Sequence, residues 1–93
     1  MYVTYKQTIN AYIEANPELR TRAVAIGEQF RLARESENLS KADIAQRSNL
    51  SVRQVASVEN GSYILKFIAP IQMYLDACES DMMININLVR TTN

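Results

Sequence analysis

Five side chains within seven positions carry the most specific chemistry of this chain: Ser51, Val52, Arg53, Gln54 and Ser57. An arginine donates two parallel hydrogen bonds, a glutamine amide donates and accepts, and a serine hydroxyl does either. Valine adds methyl groups for apolar contact. Projecting from one end of a short helix, such a set suits reading of flat hydrogen-bonding edges, as nucleic acid bases present, better than bond-making chemistry. The residues of covalent catalysis are largely missing. With no histidine and a single cysteine, Cys78, the common zinc sets, a Ser-His-Asp triad, a Cys-His pair and an internal disulfide are excluded. The acidic residues come with no glycine-rich loop or metal spacing, so the expectation is a non-enzyme without cofactor or metal.

The elements that must position these residues are helices. The chain has 93 residues, enough for one core, and only two glycines and two prolines interrupt it. Ile, Leu, Val and Phe make up 24 of the 93 residues, above the level at which a chain remains disordered. Tyr5, Ile9, Tyr12 and Ile13 form one stripe of an amphipathic helix over residues 5–15 that Thr4 can cap. Asn16 as N-cap, Pro17 in the first turn and Glu18 beside the positive helix end open a second helix to about residue 37, with Ile26, Phe30 and Ala33 on its core stripe. Ser40 caps a third, residues 41–48, with Asp43 at the capping-box position. Asn49 accepts a left-handed turn, and Ser51 caps a fourth helix over residues 52–60. Leu50, Val55 and Val58 are expected inside, whereas Val52, Arg53, Gln54 and Ser57 face outward. Gly61 ends that helix, a loop over residues 62–66 follows, and a fifth helix spans about 67–78 with Pro70 in its first turn and Cys78 on its apolar side.

Ile84, Asn85, Ile86, Asn87 and Leu88 then alternate apolar and polar with period two, the pattern of a half-buried strand. A strand needs a partner for its backbone groups. The candidates are the run Tyr2, Val3, Thr4, Tyr5 or the same strand of a second copy, and the second copy is preferred, which makes Ile84, Ile86 and Leu88 the expected dimer interface. The domain organisation read this way is an N-terminal extension with a docking helix (1–20), a helical domain (21–79) and a C-terminal strand and tail for dimerisation (80–93). The Met1 end lacks the basic and apolar regions of a secretory signal, and no apolar run is long enough to span a bilayer, so a soluble, cytoplasmic protein without membrane contact is expected.

Two short helices joined at Asn49, the second capped by Ser51 and with small Ala45 where they cross, describe a helix-turn-helix on physical grounds. From Ile26 to Asp81 the chain resembles the Xre type of helix-turn-helix regulator, the family of the phage lambda repressor and Cro. The resemblance rests on a first helix ending in Arg34, the Leu39-Ser40 step, a helix with central Ala45 and a second helix closing on Glu59-Asn60-Gly61. It implies an all-α, lambda-repressor-like domain of five helices and a structural ion pair between Arg34 and Glu59. Lys41 stands where the family commonly has Gln, Asn49 where it has Gly, and Glu79 where a Gly often ends the last helix, so that helix is expected to run slightly longer.

The major groove admits one helix and shows a distinct donor and acceptor pattern for each base pair. Arg53 would then read guanine, Gln54 adenine and Val52 a thymine methyl, with Ser51 and Ser57 adapting, while Lys41, Asn60, Ser62 and Tyr63 would hold phosphates. Ten basic and ten acidic residues cancel, so no whole-chain field attracts polyanions. The balance is local: residues 31–66 carry six basic and four acidic side chains, and residues 67–93 one and three. Weak binding by one copy and useful affinity by a homodimer on a palindromic operator follow. The sequence therefore reads as a DNA-binding regulator, most simply a homodimeric autorepressor, with the DNA-binding antitoxins similar in size and in their alternating C-terminal strand. The competing reading is a protein-interaction module of the same fold, such as a toxin-binding antitoxin, supported by the neutral charge and acidic tail.

Overall fold

A computed structural model describes residues 4–91. It contains five helices, α1 (Tyr5–Ala15), α2 (Glu18–Ser36), α3 (Lys41–Ser48), α4 (Val52–Glu59) and α5 (Ser62–Ala77), with no strand among the described residues. No helix is long and apolar enough to cross a membrane. Three helix starts carry the side-chain caps that their sequences dictate. Thr4 with Gln7, Ser40 with Asp43 and Ser51 with Gln54 each form a reciprocal capping box. At the start of α2 Pro17 stands in the cap position without a side-chain bond, because the Asn16 amide turns back to donate to the Tyr12 carbonyl (2.9 Å) and closes α1 instead.

One core holds the helices together. Ile9 and Ile13 of α1, Leu19, Ala23 and Ile26 of α2, and Ile64, Leu65, Ile68 and Ala69 of α5 form a single buried cluster. The expected stripes shift slightly: Tyr5 is exposed, Tyr12 and Phe30 are half-buried, and Ala33 lies at the surface. The tightest approach is between backbones. A Cβ built on Gly27 in the middle of α2 would lie 2.6 Å from the Glu59 carbonyl oxygen and 2.8 Å from that of Val58. Gly61 has φ +89, and a Cβ there would lie 2.9 Å from the backbone of Ala23. That left-handed residue reverses the chain within one step. Asn60 Oδ1 then accepts from the Ser62 N–H (2.8 Å), so α5 begins at once.

The expected loop over residues 62–66 is therefore helical, and Pro70 sits inside α5 rather than in its first turn. The missing N–H leaves the Lys66 carbonyl without its helical bond, at a residue open to water. Cys78, expected in the core, is exposed at the C-cap. Glu79 does not lengthen the helix. It adopts φ 55 itself, and the Ser80 N–H closes back on the Leu75 carbonyl (3.1 Å), the work usually given to a glycine.

The C-terminal strand is also corrected. Residues 80–91 have no regular secondary structure, and Ile84 and Ile86, expected in a dimer interface, pack half-buried against the core of their own chain, while Leu88 remains exposed. Of the internal partner run, Thr4 caps α1 and Tyr5 begins it, whereas Tyr2 and Val3 lie outside the described residues. Two glutamine amides, not a partner strand, bond the backbone of this segment. Gln72 donates to the Met82 carbonyl (3.2 Å) and accepts from the Ile84 N–H (3.1 Å). Gln29 donates to the Ile86 carbonyl (3.3 Å) and accepts from the Leu88 N–H (3.0 Å). Each amide bonds the two residues that flank a third, as a residue of a parallel neighbour would. Gln72 also donates to Asp76, which accepts a short hydrogen bond from the Tyr12 hydroxyl, so the clamp is tied to α1.

Two predictions follow from this packing. Gly27→Ala should destabilise the domain by about 2 kcal/mol or more in chemical denaturation, although alanine is the better helix former, because backbone atoms block its methyl group. Burial first, then the bond to Asp76, raises the Tyr12 pKa to about 12. The folded value exceeds the unfolded one, so this contribution is intact below the ordinary tyrosine range and is lost as pH rises through it toward about 12. Spectrophotometric titration should find Tyr12 ionising late, and earlier in Asp76→Asn.

Candidate nucleic-acid interface

The α3–α4 pair is built by local signals. The Ser40 box starts α3, Asn49 ends it in the left-handed conformation (φ 64, ψ 17), and the Ser51 box starts α4 two residues later. Polar and apolar residues then divide between the faces of α4. Val55 is buried on the side that α2 and α3 face, with Val58 half-buried beside it. Arg53 and Ser57, one turn apart, lie on the opposite side with Gln54, Arg53 and Gln54 exposed and Ser57 half-buried. Val52 is half exposed at the first position of the helix. Leu50, expected inside, is 41% exposed and borders an apolar cleft of about 440 Å³ between α2, α3 and α4, together with Phe30, Leu39, Ile44, Val55 and Val58.

The expected ion pair closes one wall of that cleft. Arg34 donates from Nε to Glu59 Oε2 (2.8 Å) and from Nη2 to Oε1 (2.9 Å), a two-point fork, while Nη1 donates to the Leu39 carbonyl (2.9 Å). Both side chains are largely shielded from water, at 12% and 7% exposure. The Arg34 hydrogen bonds hold the Glu59 carboxyl below its usual range, with the charges of Lys41 and Arg31 adding to the effect, and the same bonds raise the Arg34 pKa. This pair links the C-terminal half of α2 to the end of α4 and, through Leu39, to the entry of α3.

The remaining residues fall into two groups. Ser51 and Gln54 are engaged with each other: Ser51 Oγ accepts from the Gln54 N–H (3.0 Å) and Gln54 Oε1 from the Ser51 N–H (2.8 Å). The Gln54 NH₂ makes no hydrogen bond among the described residues. Asn60 has its side-chain oxygen occupied by the Ser62 N–H, with its NH₂ likewise unbonded. Arg53, Lys41 and Tyr63 are exposed and form no ion pair or side-chain hydrogen bond among the described residues. Arg31, by contrast, is bracketed by Glu28 and Glu35. The arrangement thus leaves a free guanidinium and a free amide near the start of α4, a free ammonium at the start of α3, and phenol and amide groups at the α4–α5 corner. No group of three or more His, Cys, Asp or Glu side chains that could hold a metal ion forms among the described residues.

Sequence reasoning missed three positions that matter here: Gly27, which lets α4 approach α2, and Gln29 and Gln72, which bind the C-terminal segment. A glycine inside a helical pattern and a polar residue on the Leu65, Ile68, Ala69 stripe of α5 were the available signals. No family model, curated protein or solved structure matches the chain.

Glu59→Gln should lower the melting temperature clearly at neutral pH, since it leaves Arg34 shielded from water without its counter-charge. The depressed Glu59 pKa gives a contribution that is present above the ordinary glutamate range and is lost as pH falls through the folded value. The gap between wild type and Glu59→Gln, followed by thermal melts across pH, should therefore narrow in acid.

Proposed function

We propose that this chain is a sequence-specific DNA-binding regulator that reads the major groove with α4 and acts as a homodimer on a two-part operator. The observation that carries this reading is the division of α4 into a face fixed against α2 and α5 and an outward face whose Arg53 guanidinium and Gln54 NH₂ are unengaged at its N-terminal end. A recognition helix needs that combination, because its reading groups must be free and their backbone must not move. Arg53 is the guanine reader. Gln54 contributes its free NH₂ and the remaining lone pair of Oε1, Val52 a methyl contact, and Ser57 a hydroxyl, with Ser51 serving chiefly as the cap. Lys41, Tyr63, Ser62 and the Asn60 NH₂ are the phosphate contacts, placed at the starts and turns that flank the reading helix. Autorepression, and a toxin or other protein partner, belong to the same proposal on the strength of the resemblance alone.

A protein-interaction role without DNA is the second reading, favoured by the zero net charge and by the apolar cleft beside α4. Salt separates the two. A DNA reader loses affinity linearly in log salt with a slope set by its phosphate contacts.

The deciding experiment is a fluorescence anisotropy titration with the duplex upstream of the protein's own gene and a scrambled duplex, each at two salt concentrations. Saturable, salt-sensitive binding that prefers the native duplex is expected, and Arg53→Ala should cost about 1 to 3 kcal/mol on that duplex while flattening the preference at one base pair. Equal losses on both duplexes would remove Arg53 from base reading. No binding to either duplex at low salt would overturn the DNA assignment in favour of the interaction module.

A further inference from the structure

The cleft beside α4 marks a gap in the packing of the helix pair. α3 buries no residue fully, and α4 buries only Val55. α3 packs along α4 and has little direct contact with α2. Where α2 and α3 would otherwise meet lies the space of about 440 Å³ walled by Phe30, Leu39, Ile44, Leu50, Val55 and Val58. Close-packed interiors leave few voids wider than a water molecule, so an opening of this size is an unfilled part of the core. It is concave and apolar, and its volume lies within the ~300–1,000 Å³ of small-molecule sites.

The walls define what fits. Arg34 and Glu59, which line the cleft, spend their hydrogen bonds on each other and on the Leu39 carbonyl, and no buried side-chain nitrogen or oxygen among the described residues lacks a partner. The interior therefore offers a polar occupant nothing to bond, and the body of a ligand must be apolar. An apolar cavity of about 150 Å³ holds one benzene ring, so this one, roughly three times larger, admits a ring with several more carbons, which exceeds a single anchoring side chain of a partner protein. Charge sets the head group. Of the three charged residues on the lining, Arg34 and Glu59 cancel, which leaves Glu37, exposed and without an ion pair or side-chain hydrogen bond among the described residues. Lys41 is near enough to Glu59 to lower its pKa but does not line the cleft.

We propose that this cleft is a binding site for a small cationic amphiphile, its apolar body seated between α2, α3 and α4 and its protonated amine beside Glu37. The occupant completes the core that α3 and α4 lack and braces both against α2. It sits on the side of α4 away from Arg53, so the site stands apart from the reading of DNA.

The test uses the full chain without DNA and three probes: phenylbutylamine, phenylbutyrate, which keeps the body and reverses the head charge, and butylamine, which keeps the head and lacks the ring. Carbon–proton correlation NMR follows the methyl groups of Ile44, Leu50, Val55 and Val58, and thermal melts follow stability. Phenylbutylamine should shift those methyl signals saturably and raise the melting temperature, since a ligand bound only by the folded chain stabilises it. Butylamine should leave both unchanged, and phenylbutyrate should bind more weakly than the amine. Ala33→Phe, on the exposed rim of the cleft, puts a ring into it without removing a core side chain and should abolish the shifts at unchanged helix content by circular dichroism. Glu37→Gln should weaken the amine about two- to fivefold and erase its advantage over the carboxylate. No saturable shift with phenylbutylamine, shifts only at other methyl groups, or shifts that survive Ala33→Phe would each overturn the site. Equal wild-type affinity for amine and carboxylate, or an amine affinity untouched by Glu37→Gln, would overturn the cationic head. The DNA titration is scored separately. A chain that reads its duplex and ignores the amine sinks the site alone, and one that binds the amine but no duplex sinks the DNA assignment alone.

Discussion

The whole arrangement depends on how closely α2 approaches the corner between α4 and α5. Both glycines of the chain serve that approach from opposite sides: Gly27 leaves room for the carbonyls that end α4, and Gly61 turns the backbone against Ala23. Ala23, Gly27, Phe30 and Arg34 then lie along one face of α2, so the small residues draw α4 in and Arg34 meets Glu59 about two turns farther on. The approach is a constraint more than an attraction. A contact made of backbone carbonyls against a helix without a side chain has little room to slide, and it sets α4 in azimuth as well as distance. With Val55 held inward, the Arg53 guanidinium and the Gln54 NH₂ are left to solvent.

Much of this was legible in the chain, and the legible parts share a cause. Thr4, Ser40, Ser51 and Asn49 act through hydrogen bonds and backbone angles within three or four residues, so local sequence suffices to place the ends of α1, α3 and α4. Asn16 failed as a cap because two helix ends compete for one amide, and the carbonyl of Tyr12 won it. The start of α5 was misplaced because Pro70 is a strong local signal for a first turn. Burial of Ile64 and Leu65 in the common core overrides it, and local reasoning does not see that burial. The Arg34–Glu59 pair, 25 residues apart, came from resemblance to a family pattern rather than from any local rule.

The C-terminal segment shows what a period of two does and does not say. Alternation at Ile84, Asn85, Ile86, Asn87 and Leu88 reports one face against something apolar, and Ile84 and Ile86 do pack against the core, although no strand forms and Leu88 stays exposed. It carries no information about what satisfies the backbone edge. A neighbouring strand and two glutamines from separate helices present the same donor and acceptor pair to every second residue, so the side-chain pattern is identical in both cases. The distinguishing mark was on α5. An amide on the same stripe as Ile68 and Ala69 must bond something inside the fold, since leaving it unpaired would cost more than an apolar residue gains there.

The capping box of α4 also bears on the proposed reading of DNA. Ser51 and Gln54 each spend one acceptor on the other's backbone, which removes part of the hydrogen-bonding capacity that a base would use. What remains is better placed. A glutamine free at the surface loses the freedom of its rotatable bonds when it meets a base, whereas one already held by its carbonyl has lost it on folding and offers its NH₂ in a set direction. Arg53 keeps full freedom and its complete set of donors. In that proposal the two neighbours divide the work. The flexible guanidinium supplies most of the discrimination by its two-point bond to guanine, and the fixed amide decides how closely the start of α4 can settle against the adjacent base pair.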